Sequence, residues 1–280
     1  MEYLDRRRGL VEERLEVVLN ELEPPALSRS INHVTFAGGK RVRPVMTIVC
    51  CEVLGGSTAD AIDFAAGIEL VHTASLVVDD IIDESSVRRG VDSAWEKYGV
   101  GAAIIASDGL LGEAFSLFEQ DRRALRIVSE AMVELGEGEA LELVEMPTNE
   151  QEYRDLARRK TGALFKAAAQ LGGVAADASD AEIDAIGEYA ERVGIAFQMR
   201  DDVLDATAPA ETMGKPTGHD AAMDRPSVIE VTELSPTQAS DRARSEAEAA
   251  LAALDVIEPV DDAAAEYLTE LAMFVVEREQ

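Results

Sequence analysis

The feature that most constrains the fold of this chain is a helical periodicity of apolar residues that extends along almost its whole length. Alternating strand patterns are absent, and Ala, Leu and Val carry the apolar content, since aromatic residues make up only 5% of the chain. An all-α protein is therefore expected. Helices are predicted at 4–21, 41–54, 59–84, 101–118, 121–145, 151–172, 180–205, 238–253 and 261–278, with a long break over 207–227.

The chain shows no low-complexity linker and no repeat of fixed period, so residues 1–280 are predicted to form a single domain. No apolar run approaches the ~20 residues that a membrane span needs, and the N-terminus lacks the apolar core of a signal peptide. Cys50 and Cys51 are adjacent, and neighbouring cysteines rarely form a disulfide without strain. Two reduced thiols and a cytoplasmic location without a transmembrane segment are expected.

The charge of the chain is strongly acidic, with a formal net charge of -29 and a pI near 4.3. Such a field repels nucleic acid, which we exclude as a partner. Most basic residues are Arg rather than Lys. An acid-rich, Lys-poor surface is typical of proteins that work in high salt, where a Debye length of ~3 Å at 1 M suppresses self-repulsion. We therefore hypothesise a halophilic source.

Two acidic motifs of the form DDxxD, at 79–83 and 201–205, each end a long apolar helical segment. Residues i and i+4 share a helix face, so Asp79 aligns with Asp83, and Asp201 aligns with Asp205. Like charges in that relation destabilise a helix unless a cation lies between them. Hard cations such as Mg2+ take carboxylate, water and phosphate oxygens as ligands. The alternative is that both motifs are solvated acidic surface in an acidic chain.

Basic residues in four segments stand next to Gly or Thr, which suits phosphate binding. The segments are GGKRVRP at 38–44, RRG at 88–90, KTG at 160–162 and GKP at 214–216. Arg offers a planar fork to phosphate oxygens, and Lys offers a compact charge. A basic cluster of this kind, taken alone, is more often surface charge.

With these motifs in this order, the chain resembles the trans-isoprenyl diphosphate synthases, most closely the geranylgeranyl type, from about Ala37 to the C-terminus. The motifs ELVHTASLVVDDIID at 69–83, KTGALFKAA at 160–168, FQMRDDVLD at 197–205 and GKPTGHD at 214–220 carry the resemblance. It implies an all-α, isoprenoid synthase-type helical bundle around a deep central cavity, usually a homodimer. The implied reaction is head-to-tail condensation of isopentenyl diphosphate with dimethylallyl, geranyl or farnesyl diphosphate, giving a longer trans-polyprenyl diphosphate and pyrophosphate.

The resemblance also assigns roles to the matching positions. Three Mg2+ ions, or Mn2+ in their place, would be held by Asp79, Asp80, Asp83, Asp201, Asp202 and Asp205. The allylic diphosphate would meet Arg88, Lys160, Thr161, Gln198 and Lys215. Isopentenyl diphosphate would meet Gly39, Lys40, Arg43, His72 and Arg89. The residues counted as catalytic are Asp79, Asp80, Asp83, Arg88, Lys160, Asp201, Asp202 and Lys215.

The chemistry of this reaction agrees with these residue types. Heterolysis of the allylic C–O bond needs cations preorganised around the leaving pyrophosphate and a dry cavity for the carbocation. No side-chain nucleophile is required, and no Ser/His/Asp or Cys/His set is recognisable. His72 lies two turns before Asp79, although it could instead be a buried structural histidine. We assign no role to His33 or His219.

Some positions depart from the pattern of the family that the chain resembles. Val78 replaces a frequent His, Asp92 replaces a frequent Pro, and Glu139 stands where Gln is common. Asp224-Arg225 replaces a usual Gly-Lys, which leaves the role of the late Lys open, and Arg225 could supply the charge. None of these changes removes a predicted metal ligand.

The resemblance also implies that product length depends on the residues just before the first Asp. Ser75 and Ala74 are small, so the elongating chain is expected to pass them and to stop deeper, at Val71, Ile68, Phe115 or Phe118. Geranylgeranyl diphosphate is the predicted product, with a longer polyprenyl chain as the alternative. Two rival functions remain: a class I terpene cyclase or head-to-head synthase, which needs no isopentenyl site, and a non-catalytic binding protein.

Overall fold

The structure is a computed structural model that describes residues 2–207 and 225–277, and it confirms the predicted all-α class. A short β-hairpin and two π-helical turns interrupt the helices. The helices are α1 Glu2–Leu19, α2 Pro25–Thr35, α3 Val42–Val53, α4 Thr58–Ile82, α5 Ala94–Tyr98, α6 Val100–Phe118, α7 Arg122–Ala140, α8 Glu150–Ala157, α9 Ala163–Ala175, α10 Asp180–Thr207, α11 Val228–Thr232, α12 Pro236–Ala253 and α13 Asp262–Glu277. The hairpin pairs β1 Val87–Arg88 with β2 Val91–Asp92, and the π turns are Leu141–Glu145 and Arg158–Gly162.

Each predicted helical segment is present, but several short elements were not anticipated. Helix α2 begins at Pro25, because proline is well suited to the first turn of a helix, whereas the Pro24-Pro25 pair had been read only as a break. The short helices α5 and α11 and the two-residue strands fall below the length at which periodicity is visible. The predicted helices 121–145 and 151–172 each contain one of the π turns, which do not alter the apolar pattern enough to be seen.

The core consists of two adjoining clusters of buried apolar side chains. Helix α3 contributes to both, since Ile48 and Cys51 belong to one cluster while Val49 and Cys50 belong to the other. Helix α9 does the same on the facing side. The two cysteines are buried free thiols, as predicted.

Two long helices position the acidic motifs. Helix α4 starts at a capping box formed by Ser57 and Asp60, runs 25 residues, and ends within the first motif. Helix α10 runs 28 residues and carries the second motif near its C-terminal end. Because both helices are anchored along most of their length in the core, the motifs at their ends are held on rigid elements.

Among the described helices, α4 and α6 have the length and apolarity to cross a membrane. The apolar stretch of α4 is 61% buried inside the protein, as expected for a core helix, while that of α6 is only 28% buried. These two helices are only weak candidates for transmembrane segments, which the sequence analysis did not expect, and α6 is the more exposed of the two.

Candidate active site

The first acidic motif lies at the C-terminal end of α4 and divides its carboxylates between two environments. Asp79 and Asp83 are half-exposed on one face, whereas Asp80 is only 3% exposed. The Nε of Arg88, from β1, donates to Oδ1 of Asp80 at 2.7 Å. This ion pair fastens the hairpin to the helix that carries the motif.

The second motif repeats this division. Asp201 and Asp205 are half-exposed, while Asp202 is 2% exposed and accepts hydrogen bonds at both carboxylate oxygens. The hydroxyl of Tyr153 and the backbone N–H of Val228 donate to Oδ2 at 2.6 and 2.8 Å, and Nε2 of Gln198 donates to Oδ1 at 2.9 Å. In both motifs the middle carboxylate is thus bound by the protein, and its two neighbours on the helix face solvent in part.

A series of side-chain contacts connects the second motif with the residues around the first. Gln198 accepts a hydrogen bond from the hydroxyl of Thr161 at 2.8 Å. The preceding residue, Lys160, forms ion pairs with Glu142 and, at 3.4 Å, with Glu139. Glu139 and Lys160 both act electrostatically on Asp79. Asp79 and Glu139 also line one cavity. The series therefore leads from the second acidic motif to the surroundings of the first, 122 positions earlier between Asp201 and Asp79.

The π turn Arg158–Gly162 gives Lys160 and Thr161 their places in this series. A Cβ added at Gly138 would lie 2.7 Å from the backbone nitrogen of Lys160, so only glycine allows α7 to approach so closely. On the other side, a Cβ at Gly194 would lie 2.8 Å from Cα of Gly162. The turn is thus held between two helices whose glycines leave room for its wider backbone.

The electrostatics around Asp79 favour a cation. The pKa of Asp79 is raised to about 7, mainly by burial and further by the negative charge of Glu139. The positive charges of Lys160 and Arg88 lower this pKa but do not cancel the increase. Burial also raises the pKa of Glu139. A divalent cation at this position would stabilise the ionised form of both carboxylates.

Arg225 occupies the cationic position beside the last carboxylate of the first motif. Its guanidinium donates to Asp83 and lies 3.5 Å from an oxygen of Glu142. Arg225 therefore brings a positive charge next to Asp83 and Glu142. Whether it takes the place of the late Lys stays a prediction. Lys215 and His219 lie outside the described residues.

Among the described residues, no group of three or more Asp, Glu, His or Cys side chains forms a ready-made metal cage. Mg2+ keeps several waters and is usually bound by one or two carboxylates together with phosphate oxygens of a substrate. The oxygen-only chemistry of Asp79, Asp83, Asp201 and Asp205 suits the same ion. Which of the six carboxylates bind metal stays a prediction.

A second set of basic groups surrounds the loop between α2 and α3. Arg41 caps α3 in a left-handed conformation with φ of 51°, and its side chain is buried. It donates to Oε1 of Glu69 at 2.5 Å and to the carbonyl of Thr35 at 2.6 Å. This buried ion pair ties the loop that contains Gly39 and Lys40 to α4.

Arg43 and His72 lie side by side, with Nη1 of Arg43 3.1 Å from Nε2 of His72. The guanidinium of Arg43 also stacks over the ring of Phe165 at 4.6 Å, and its buried Nε has no hydrogen-bond partner. Burial lowers the pKa of Arg43 to about 10, so it stays cationic at neutral pH. Burial, followed by the charge of Arg43, holds the pKa of His72 well below its usual range. The imidazole is therefore neutral and can accept from Arg43.

Gly39 allows Arg89 to approach the loop. Gly39 has φ of +131°, and a Cβ there would lie 2.6 Å from Nη1 of Arg89. That guanidinium donates to the carbonyl of Gly38, while the side chain of Lys40 is exposed. Helix α3, the hairpin and α4 thus bring Arg43, Arg89 and His72 together, and the charges of both arginines act on His72. The binding roles of these residues and of Lys40 stay predictions.

An apolar cavity of ≈ 190 Å³ opens beside the first motif, between α4, α6 and α7. Val71, Ala74, Ser75 and Asp79 line it, so all three residues predicted to govern product length contact the same space. The lining includes Val71 but not Ile68, Phe115 or Phe118, and which residue forms the floor of the elongation space stays a prediction. On the side opposite α4, this cavity is lined by Leu111 of α6 and by Met132 and Leu135 of α7.

The family of the chain follows from comparison with known proteins. The profile of the polyprenyl synthetase family matches residues 24–260, which is most of the chain. The chain belongs to the polyprenyl synthetase family. As a member of this family it is a prenyltransferase.

Three relatives illustrate the similarity of this polyprenyl synthetase to known proteins. A short chain isoprenyl diphosphate synthase of Methanothermobacter thermautotrophicus is 34% identical over 253 residues, covering 87% of this chain and 78% of that protein. The crystal structure of a geranylgeranyl pyrophosphate synthetase from Pyrococcus horikoshii has a TM-score of 0.91 and 31% identity, covering 99% of this chain and 98% of that one. A polyprenyl synthase from Caulobacter crescentus, crystallised with calcium and isoprenyl diphosphate, has a TM-score of 0.89 and 27% identity, covering 100% and 97%.

The sequence analysis did not predict several residues of the candidate site. Glu142 and Tyr153 stand in no motif, and their contacts with Lys160 and Asp202 depend on helices that are distant in the chain. Arg41 was recognised only as part of the GGKRVRP motif, and its role was not predicted. In the structure it is buried against Glu69 and holds the loop in place. A charged residue in an otherwise apolar stretch, such as Glu69 within 64–71, is the signal that could have indicated a buried partner.

Proposed function

We propose that this prenyltransferase condenses an allylic diphosphate with isopentenyl diphosphate, head to tail, to form geranylgeranyl diphosphate and pyrophosphate. The observation that carries the proposal is the continuous series of contacts from Asp202 through Gln198, Thr161 and Lys160 to the surroundings of Asp79, beside an apolar cavity. A diphosphate bound there would be held by cations at the acidic motifs, and its hydrocarbon chain would extend into the apolar cavity.

The allylic diphosphate is proposed to bind between the two acidic motifs. Asp79, Asp83, Asp201 and Asp205 would hold up to three Mg2+, or Mn2+ in their place, and the ions would neutralise the charge that develops on the leaving pyrophosphate. Asp80 and Asp202 would fix the motifs through their protein contacts and reach the metals through water. The relative from Caulobacter crescentus, solved with calcium and isoprenyl diphosphate, supports a divalent cation here. Arg88, Lys160, Thr161, Gln198 and Lys215 would contact the same diphosphate.

Isopentenyl diphosphate is proposed to bind at the second basic region. Lys40, Arg43 and Arg89 would hold its phosphates, Gly39 would allow close approach of the backbone, and neutral His72 would orient Arg43. The unpartnered Nε of Arg43 is a buried cationic donor, which an anion would satisfy. Because this basic region and the acidic motifs adjoin on α4, the two substrates would meet above the cavity.

The length of the product is proposed to depend on the depth of the cavity. Ala74 and Ser75, both small, line the part of the cavity nearest to Asp79, and the growing chain is proposed to pass them. Val71 lies deeper on α4, and Met132 and Leu135 close the opposite side. Geranylgeranyl diphosphate is therefore the favoured product, and a longer polyprenyl diphosphate is the second candidate.

The rival functions account less well for this arrangement. A terpene cyclase or a head-to-head synthase needs no isopentenyl site, so it gives no reason for the buried Arg41–Glu69 pair or for Arg43 beside His72. A non-catalytic binding protein gives no reason for side-chain contacts that lead from one acidic motif towards the other beside an apolar cavity.

We further propose a cytoplasmic homodimer of a single-domain chain. The sharing of α3 and α9 between both core clusters supports one domain.

Helix α6 exposes Val100, Ile104 and Ile105 at 46, 48 and 59%, an apolar face that a second copy would cover. Substituting Ile105→Glu should convert the dimer to a monomer in light scattering. A monomeric wild type would contradict the proposed dimer.

The proposed reaction is tested with purified protein in molar KCl and Mg2+, given each allylic primer with and without isopentenyl diphosphate. Products are dephosphorylated and their chain length is measured. Elongated products that require isopentenyl diphosphate are expected, with a geranylgeranyl end point. Conversion of a primer without isopentenyl diphosphate would instead identify a cyclase or a head-to-head synthase.

A further inference from the structure

The β-hairpin Val87–Asp92 carries both Arg88 and Arg89 but is too short to be stable alone. Its register comprises only the pairs Val87 with Asp92 and Arg88 with Val91. Arg89 and Gly90 form the turn with φ of 52° and 80°, and a left-handed conformation is costly for Arg. A two-stranded hairpin of this size needs tertiary contacts to hold its shape.

Packing beneath the hairpin is incomplete. A cavity of ≈ 20 Å³, about the volume that one water requires, lies between the hairpin and α4, with Thr73, Asp80 and Ser93 in its lining. The buried hydroxyl of Ser93 has no hydrogen-bond partner in the protein. The hairpin therefore depends strongly on its polar attachments.

Two of those attachments use the groups that the proposed function assigns to diphosphates. Arg88 is paired with Asp80, and Arg89 donates to the carbonyl of Gly38. When these guanidinium groups turn to phosphate oxygens, the contacts must be shared or lost. Nε1 of Trp95 donates to the carbonyl of Ser85 at 2.9 Å. This hydrogen bond fixes only the segment that precedes β1.

His33 holds the other strand. Its Nε2 lies 2.7 Å from the carbonyl oxygen of Asp92, and its Nδ1 lies 3.2 Å from Nζ of Lys97. A carbonyl only accepts and an ammonium only donates, so Nε2 carries the hydrogen and Nδ1 accepts. The edge of Tyr98 packs against the ring, with centroids 5.6 Å apart. These three contacts fix both the tautomer and the orientation of the imidazole.

We infer that His33 is a positioning residue that fastens β2 to the end of α2 and so holds Arg88 and Arg89 at a fixed distance from the Gly38–Lys40 loop. Helix α2 ends at Thr35, and the loop begins three residues later. The His33–Asp92 hydrogen bond thus spans the two halves of the proposed diphosphate site without using a group that binds phosphate. The inference rests on the proposed function for the roles of Arg88 and Arg89.

The test compares His33→Phe, which keeps a ring but removes the N–H donor, with His33→Gln, which keeps a donor of similar reach. Lys97→Met is the matched control, since it removes the partner of Nδ1 and leaves the bond to Asp92. Loss of one hydrogen bond should raise the KM of His33→Phe for isopentenyl diphosphate about three- to tenfold, with kcat at saturation within about twofold of wild type. His33→Gln should recover most of the affinity, and Lys97→Met should retain it.

Amide hydrogen exchange of the hairpin supplies a readout that does not depend on turnover. His33→Phe should accelerate exchange at Arg88, Val91 and Ser93 while leaving α4 and α10 protected. Unchanged KM and exchange, or an equal loss of protection throughout the chain, would overturn the inference. A wild type that never elongates a primer would refute the proposed function instead, and the exchange experiment would still decide whether His33 fastens the hairpin.

Discussion

Tyr153 of α8 donates its hydroxyl hydrogen to Asp202 of α10 at 2.6 Å, and both residues are almost fully buried. The bond holds the middle carboxylate of the second motif from the side opposite to Gln198. Because Asp201 and Asp205 flank Asp202 on the same helix, this buried bond controls how the outer carboxylates of the motif are presented.

The first prediction concerns this bond. Tyr153→Phe keeps the packing but leaves a buried carboxylate oxygen with one donor fewer, which should lower the free energy of unfolding by about 1–3 kcal/mol. Turnover should fall further than stability explains, with a higher Mg2+ concentration for half-maximal rate. Urea unfolding and Mg2+ titration of the initial rate measure the two effects. An unchanged Mg2+ dependence would separate Tyr153 from the metal site.

The second prediction concerns the outer carboxylates. Asp79→Asn and Asp201→Asn should each reduce kcat by on the order of a thousandfold, because each removes charge that holds metal on the leaving group. Asp241→Asn, at an exposed carboxylate of α12, is the control and should leave the rate unchanged. Single-turnover assays with a labelled primer measure the chemical step. Near-wild-type rates in either motif variant would refute its assignment to metal binding.

The third prediction concerns product length. Ala74→Phe should shorten the main product by at least one isoprene unit, since the new ring would fill the cavity below Asp79. Met132→Ala removes volume from the opposite wall and should lengthen it. Chromatography of the dephosphorylated products measures both changes. If neither variant altered the product distribution, the ≈ 190 Å³ cavity would not be the elongation space.

The fourth prediction follows from the pKa of Asp79, which burial and Glu139 raise to about 7. An unfolded Asp titrates near ~3.9, so the folded chain binds more protons between these values. Without divalent cations, stability should therefore decline as pH rises from about 4 to about 7. Glu139→Gln removes the adjacent charge and should flatten this decline. Urea midpoints in chelator and constant KCl measure it, and superimposable curves for both proteins would exclude the coupling.

The fifth prediction concerns salt. With a net charge of -29, the folded chain should lose stability as KCl is removed, because screening of its self-repulsion is lost. Thermal unfolding between dilute buffer and molar KCl measures the effect, and sucrose at matched water activity serves as a non-ionic control. A melting temperature that does not change with KCl would contradict the hypothesis of a halophilic source.

Much of this protein was determined by local sequence. The helical periodicity predicted the all-α class, because such a pattern lies within a few residues. Short motifs indicated candidate site residues in the same way: Lys40, Arg43, His72, Arg89, Lys160 and both acidic motifs. The candidate chain-length positions Ala74 and Ser75 came from the family resemblance, and their distance from Asp79 along one helix is fixed by helical rise.

Tertiary structure alone decided how those groups are held. The bond from Tyr153 to Asp202 joins residues 49 positions apart, and the contact of Glu142 with Lys160 joins residues 18 positions apart. The bond from His33 to Asp92 joins residues 59 positions apart. Periodicity reports which face of a helix is apolar, but it does not report which helices meet. Burial, and with it the pKa of Asp79 and the neutrality of His72, exists only once those helices have packed.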